Sequence, residues 1–110
     1  MRTVNIREVA QVVRSKNAGP FRLTLDILFK ERAVYEQVKR SGEITAQTIA
    51  GLYKLPVDRV TDFVWFDPGK ALKVTLKRPV SSGAPRDSDI YGAQQHAPLL
   101  ALTVTLPDEI

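Results

Sequence analysis

Cysteine is absent from the 110 residues, and histidine occurs once. The first absence excludes disulfide scaffolds, thiolate metal centres and cysteine nucleophiles, and it fits a reducing cytoplasm. The second leaves His96 as the sole imidazole. Long apolar runs are also missing. The opening "MRTVNIREVAQVV" is broken by Arg2, Arg7 and Glu8, too often for a signal peptide or a membrane span. A cytoplasmic protein with no membrane association is therefore expected. Neither a phosphate-binding G-x-x-x-x-G-K-[ST] loop nor a G-x-S-x-G nucleophile elbow occurs. The net charge of +4 is small and spread along the chain, which reads as a solvated surface rather than a nucleic-acid patch.

What remains is an ordinary globular composition, 44% hydrophobic and 25% charged. It suits one domain over residues 1–110 that buries a core without staples. Asn5 can cap a helix with Glu8 at its third position, and Val4 and Val9 can staple its entrance. Ile6, Val9, Ala10 and Val13 then share a helical face, predicting a helix that ends near Ser15, before "KNAGP". In "FRLTLDILFK" Phe21, Leu23, Leu25, Ile27 and Phe29 alternate as in a half-buried strand. Asp26, on its other face, must meet water or a polar site that needs it. "ERAVYEQVKR" is helical with Val34, Tyr35 and Val38 inward, and Thr45 caps a second helix stapled by Ile44 and Ile49.

Two strand-like runs flank Asp67-Pro68-Gly69-Lys70, the chemistry of a type II turn in a hairpin. The second arm alternates, with Leu72, Val74 and Leu76 inward. The first is apolar on both faces (Phe63 and Trp65 against Val64 and Phe66), as in a central or covered strand. After Pro79 periodicity stops until "LLALTVTL", where Leu100, Leu102, Val104 and Leu106 alternate. The order predicts an α+β fold: a ferredoxin-like antiparallel four-stranded sheet, helices on one face, and a long loop before the last strand.

Three polar clusters are candidates for chemistry, each with a plain structural reading beside it. In "SKNAGPF", Ser15, Lys16, Asn17 and Gly19 could cradle an anion, or could simply stop one element and start the next. Asp67 and Lys70 could face a ligand, or close their turn. "DSDIYGAQQHAPLL" brings Asp87, Asp89, Tyr91, Gln94, Gln95 and His96. Its D-x-D lacks the further oxygen ligands and the spacing of a calcium loop, so no metal and no cofactor is expected. His96 and Lys16 are the candidate catalytic groups, although a lone histidine is more often structural. Ordering the loop costs on the order of 20 kcal/mol in backbone entropy. "VSSGAPRDSD" has little apolar surface to offset this, which argues for a partner surface.

Together, "REVAQVVRSKNAGPFRLTLDILF", "VWFDPGKALKVTLKRP" and "DSDIYGAQQHAPLL" resemble the AtuA-like ferredoxin-fold family, small proteins first grouped as a domain of unknown function. The resemblance covers nearly the whole chain. Residues Glu31 to Arg59 carry no signature of the family. Members are encoded beside, or fused to, a larger protein of the acyclic terpene utilisation type. The resemblance thus implies an accessory subunit or half-site partner in organic-acid or acyl-CoA catabolism, with the 79–98 loop contacting the larger protein or completing its site. A stand-alone enzyme or small-molecule binder using Lys16, His96, Asp87 and Asp89 is the alternative. RNA binding is the weaker one, because the sheet's open face shows Arg22, Asp26, Lys73, Thr75 and Lys77 and no aromatic pair. Self-association through sheet edges or faces is expected as well.

Overall fold

A computed structural model describes residues 1–19, 21–77 and 96–109. The elements run β1 (Arg2–Asn5), α1 (Ile6–Val9), β2 (Ala10–Asn17), β3 (Arg22–Phe29), α2 (Arg32–Ser41), α3 (Ala46–Leu52), β4 (Val60–Phe66), β5 (Ala71–Lys77) and β6 (Thr103–Leu106). Short 3-10 turns occupy Val57–Arg59, Asp67–Gly69 and Ala97–Ala101. The α+β class and a four-stranded antiparallel sheet are as expected. The sheet's membership is not.

The expected helix from Asn5 to Ser15 is one turn long. Its capping box forms: the Asn5 side chain accepts from the Arg7 N–H at 2.9 Å, and Glu8 accepts from the Asn5 N–H at 2.8 Å. From Ala10 onward, however, the chain is a strand paired with β3, from Ala10 opposite Phe29 to Asn17 opposite Leu23. Adjacent β-branched Val12 and Val13 favour this extended state, and pairing with a buried strand overrides a short helical pattern.

β2 thereby takes the place beside β3 that the ferredoxin-like arrangement assigns to the last strand. The order is β2-β3-β5-β4. The last strand, β6, pairs instead with β1 in a separate two-stranded sheet, with Val4 opposite Val104. It starts at Thr103, later than its alternation suggests, because the preceding residues form the Ala97–Ala101 turn.

The helices follow the sequence reading. α2 buries Val34, Tyr35 and Val38 and ends at Gly42, whose φ of 71° needs no Cβ. Thr45 caps α3 by a reciprocal bond with Thr48, and Ile44 and Ile49 are buried at its entrance. α2 packs on β6 and β3, and α3 on β4 and the Ala97–Ala101 turn. Between these layers lies one core, with Phe29, Tyr35, Ile49, Leu72, Leu99 and Leu106 fully enclosed.

The hairpin forms, but not with a type II turn. Asp67–Gly69 make a 3-10 turn, and Lys70 rather than Gly69 takes the left-handed conformation, with φ of 50°. A Cβ at Gly69 would lie 3.0 Å from the half-exposed Phe66 ring, which would have to shift slightly to admit it. Nor is β4 central. It is a sheet edge, and Val64 and Phe66 are 49% and 45% exposed.

Ile6 holds the two sheets together. It is fully buried, and its N–H donates to the Leu102 carbonyl at 2.9 Å. Ile6→Ala is expected to cost about 2–5 kcal/mol in urea unfolding. The exposed neighbour change Thr3→Ala should stay within about 0.5 kcal/mol.

Candidate binding face

The inward residues of the four-stranded sheet meet the helices. The outward residues stand in rows set by the strand register. One row is Arg14, Asp26, Lys73 and Val64, from β2 across β3 and β5 to β4. On the hairpin-turn side it is flanked by Val12, Leu28, Ala71 and Phe66, and on the other side by Lys16, Thr24, Thr75 and Asp62. Arg22 and Lys77 form a further cationic pair of positions. The face is thus apolar towards the turn and cationic towards the far end.

Asp26 sits at its centre and is only 9% exposed. Arg14 Nε donates to its Oδ2 at 3.0 Å, and Lys73 Nζ lies 3.6 Å from Oδ1, an ion pair but too long for a hydrogen bond. Oδ1 is shielded from solvent and accepts no hydrogen bond. A shielded acceptor left in this state is uncommon in a fold's interior. The Arg14 and Lys73 side chains are themselves largely exposed, so the trio presents two cations over one sunken anion. Lys73 also lies over the Phe66 ring, 5.8 Å from its centroid, within cation–π range.

The residues singled out from sequence separate. Lys16 is on this face. Ser15 and Asn17 alternate to the inner side, opposite Leu25 and Leu23. Gly19 follows in the bend, with φ of 97°. His96 opens the Ala97–Ala101 turn, where its carbonyl accepts from the Leu99 N–H at 2.9 Å. That turn packs on α1 and α3, so His96 and Lys16 belong to different layers. Asp87, Asp89, Tyr91, Gln94 and Gln95 lie outside the described residues. Among the described residues no cluster of His, Asp and Glu side chains is arranged to hold a metal, and no helix is long and apolar enough to cross a membrane.

Asp67 is engaged by its own chain. Its Oδ1 accepts from the Tyr35 hydroxyl at 2.6 Å and from Lys39 Nζ at 2.9 Å, and Arg32 donates to its carbonyl at 3.1 Å. Lys70 Nζ donates to the Lys30 carbonyl at 3.0 Å. The Asp67 bonds latch the hairpin turn to α2, and the Lys70 bond ties it to the residue that follows β3. The Tyr35 ring stands edge-on to Phe29 and Trp65, with centroids 5.8 Å away in each case. Burial, with the Asp67 bond adding to it, pushes the Tyr35 phenol well above its ordinary range. The bonds from Lys39 and Tyr35 hold the Asp67 carboxyl below the usual 3.8. Sequence reading placed Tyr35 inward but missed this bond, since nothing local sets a helix residue opposite a distant turn. It likewise missed Arg14 and the pairing of Lys73 with Asp26, although a carboxylate in mid-strand was the visible signal.

Among the described residues the four-stranded sheet has a helix-covered inner face and an outer face of basic and apolar side chains. The chain belongs to the family described as Domain of unknown function (DUF4387), whose model matches residues 6–103. No curated protein and no solved structure matches it.

Two outcomes are expected. The stability that wild type gains over Asp67→Asn should be complete above pH 3.8 and disappear as pH falls through the lower folded value, because only the ionised carboxylate favours the folded state. Thermal unfolding of both proteins from pH 7 to 2 measures this. Secondly, Asp26→Leu should unfold at the same urea concentration as wild type or higher, since an apolar side chain commonly matches a buried ion pair. A loss above about 2 kcal/mol would mean that the fold itself needs the carboxylate.

Proposed function

We propose that the chain is a small accessory subunit that docks on a larger protein through the outer face of its four-stranded sheet. The partner we propose is the acyclic-terpene-utilisation-type protein implied by the family resemblance, acting in organic-acid or acyl-CoA catabolism. The 79–98 segment would be a second contact with it or complete its site. One observation carries this reading: on the outer sheet face exposed Val64 and Phe66 stand beside two half-exposed cations, Arg14 and Lys73, that one sunken carboxylate, Asp26, holds in place. A partner's apolar surface would cover the two apolar side chains, and its carboxylates would meet Arg14 and Lys73, which stand exposed above the sunken Asp26.

Charge favours a protein over a nucleic acid. Arg14, Lys16, Arg22, Lys73 and Lys77 suit a carboxylate-rich surface. A phosphate backbone would meet Asp62 and Asp26 as well, and would find Phe66 as the single outward aromatic of the four strands, too few for base stacking.

Co-expression with the larger protein, followed by light scattering of the purified mixture, tests the proposal. A stable complex is expected that weakens as salt rises, and Lys16→Glu/Lys77→Glu should weaken it at least about tenfold and flatten that salt dependence. Failure of the two chains to associate, or an affinity indifferent to this double change, would overturn it. Binding of single-stranded RNA by wild type would instead favour a nucleic-acid module.

A further inference from the structure

The four-stranded sheet has two edges, β2 and β4, and they are guarded unequally. Edge strands are commonly blunted by charge, by bulges or by proline, because their free N–H and C=O groups invite another strand. β2 carries exposed Gln11, Arg14 and Lys16. β4 reads Val-Thr-Asp-Phe-Val-Trp-Phe, with Asp62 as its single charge. Its register shift is confined to the Val60–Asp62 start, and from Asp62 to Phe66 it pairs regularly with β5. Among the described residues β5 is its only strand neighbour. It is rich in β-branched and aromatic residues, and two of them are nearly half exposed.

We infer that β4 is a self-association edge, pairing antiparallel with β4 of a second copy about a two-fold axis at Val64. A two-fold interface must be complementary to itself, and this register is. Val64 faces its own copy, and Phe63 faces Trp65 of the second copy, an aromatic cross-strand pair. Asp62 faces the second copy's Phe66, the ring over which Lys73 is poised at 5.8 Å. Each carboxylate thus approaches an ammonium of the other chain. Moving the axis to Asp62 would set two carboxylates against each other. Moving it to Trp65 would set Asp62 against Pro68. Pairing through β2 about Arg14, Ser15 or Lys16 would oppose Arg14 or Lys16 to its own copy or to each other.

The product is a continuous eight-stranded sheet, ordered β2-β3-β5-β4 and then the same strands reversed, whose outer face is twice that of one copy. The inference stands apart from the docking proposal, because it concerns the isolated chain.

The native absence of cysteine provides the test. Directly opposed residues of antiparallel strands lie about 4.5–5.5 Å apart at Cα, which a disulfide spans. Val64→Cys should therefore cross-link into a dimer under mild oxidation, while Lys16→Cys at the same concentration should not. In sedimentation velocity the wild type should pass from monomer to dimer as concentration rises. Val64→Lys and Asp62→Lys should each raise the dissociation constant at least about tenfold with circular dichroism unchanged, and the docking variant Lys16→Glu/Lys77→Glu should leave it unaltered. A wild type that stays monomeric at every concentration would overturn the inference. So would a dimer that Lys16→Cys traps and Val64→Cys does not, or one that both β4 lysine variants leave intact.

Discussion

Between Ala10 and Asn17 the chain forgoes a helix whose cap it has already built, and lies down along β3 instead. Most of the architecture depends on that pairing. With β2 on one side and β5 on the other, β3 has no free edge, so the last strand must find its partner elsewhere and finds it in β1. The same pairing sets Arg14 across from Asp26, and β5 adds Lys73 from the other side. The carboxylate is held at mid-sheet because three strands agree on one register. A one-residue slip of β2 would turn Arg14 to the core face and Val13 to water.

The two faces of the sheet divide the work. On the inner side, packing is completed by α2, α3 and the β1–β6 pair. At the hairpin end it is secured by Asp67, which ties the turn to Tyr35 and Lys39 of α2. A turn aspartate often bonds only its own backbone; this one reaches across to a helix. The outer side receives no such closure from the described residues. Its apolar and charged groups are left as an organised surface, and its two cations stay hydrated because the anion beneath them is the group that is sunk.

Much of this was legible before any coordinates. The strict alternation of β3 and β5, the stripe of α2 and the Thr45 cap each rest on local chemistry, and local chemistry is what a sequence displays. The failures were non-local. Ile6, Val9, Ala10 and Val13 fit a helical face, yet Ile6 and Ala10 are as well buried by a turn and a strand, so periodicity could not decide between them. β4 is apolar on both faces, which reads as a central or covered strand. Among the described residues it is an edge, and its outward Val64 and Phe66 are nearly half exposed. Of the candidate face, the sequence shows the outward Arg22, Asp26, Lys73, Thr75 and Lys77 of β3 and β5, but not the contribution of β2. Which cations flank Asp26 is a matter of strand order, and no run of neighbours along the chain encodes that.

The pairing of Arg2 with Leu106 has one more consequence. The chain enters and leaves the fold side by side, and the amino group of Met1 lies 3.2 Å from the Asp108 carboxylate. A fold anchored this way hangs from a single point. It can be spliced into a surface loop of a longer polypeptide, or joined to one at either terminus, without any strand being re-threaded.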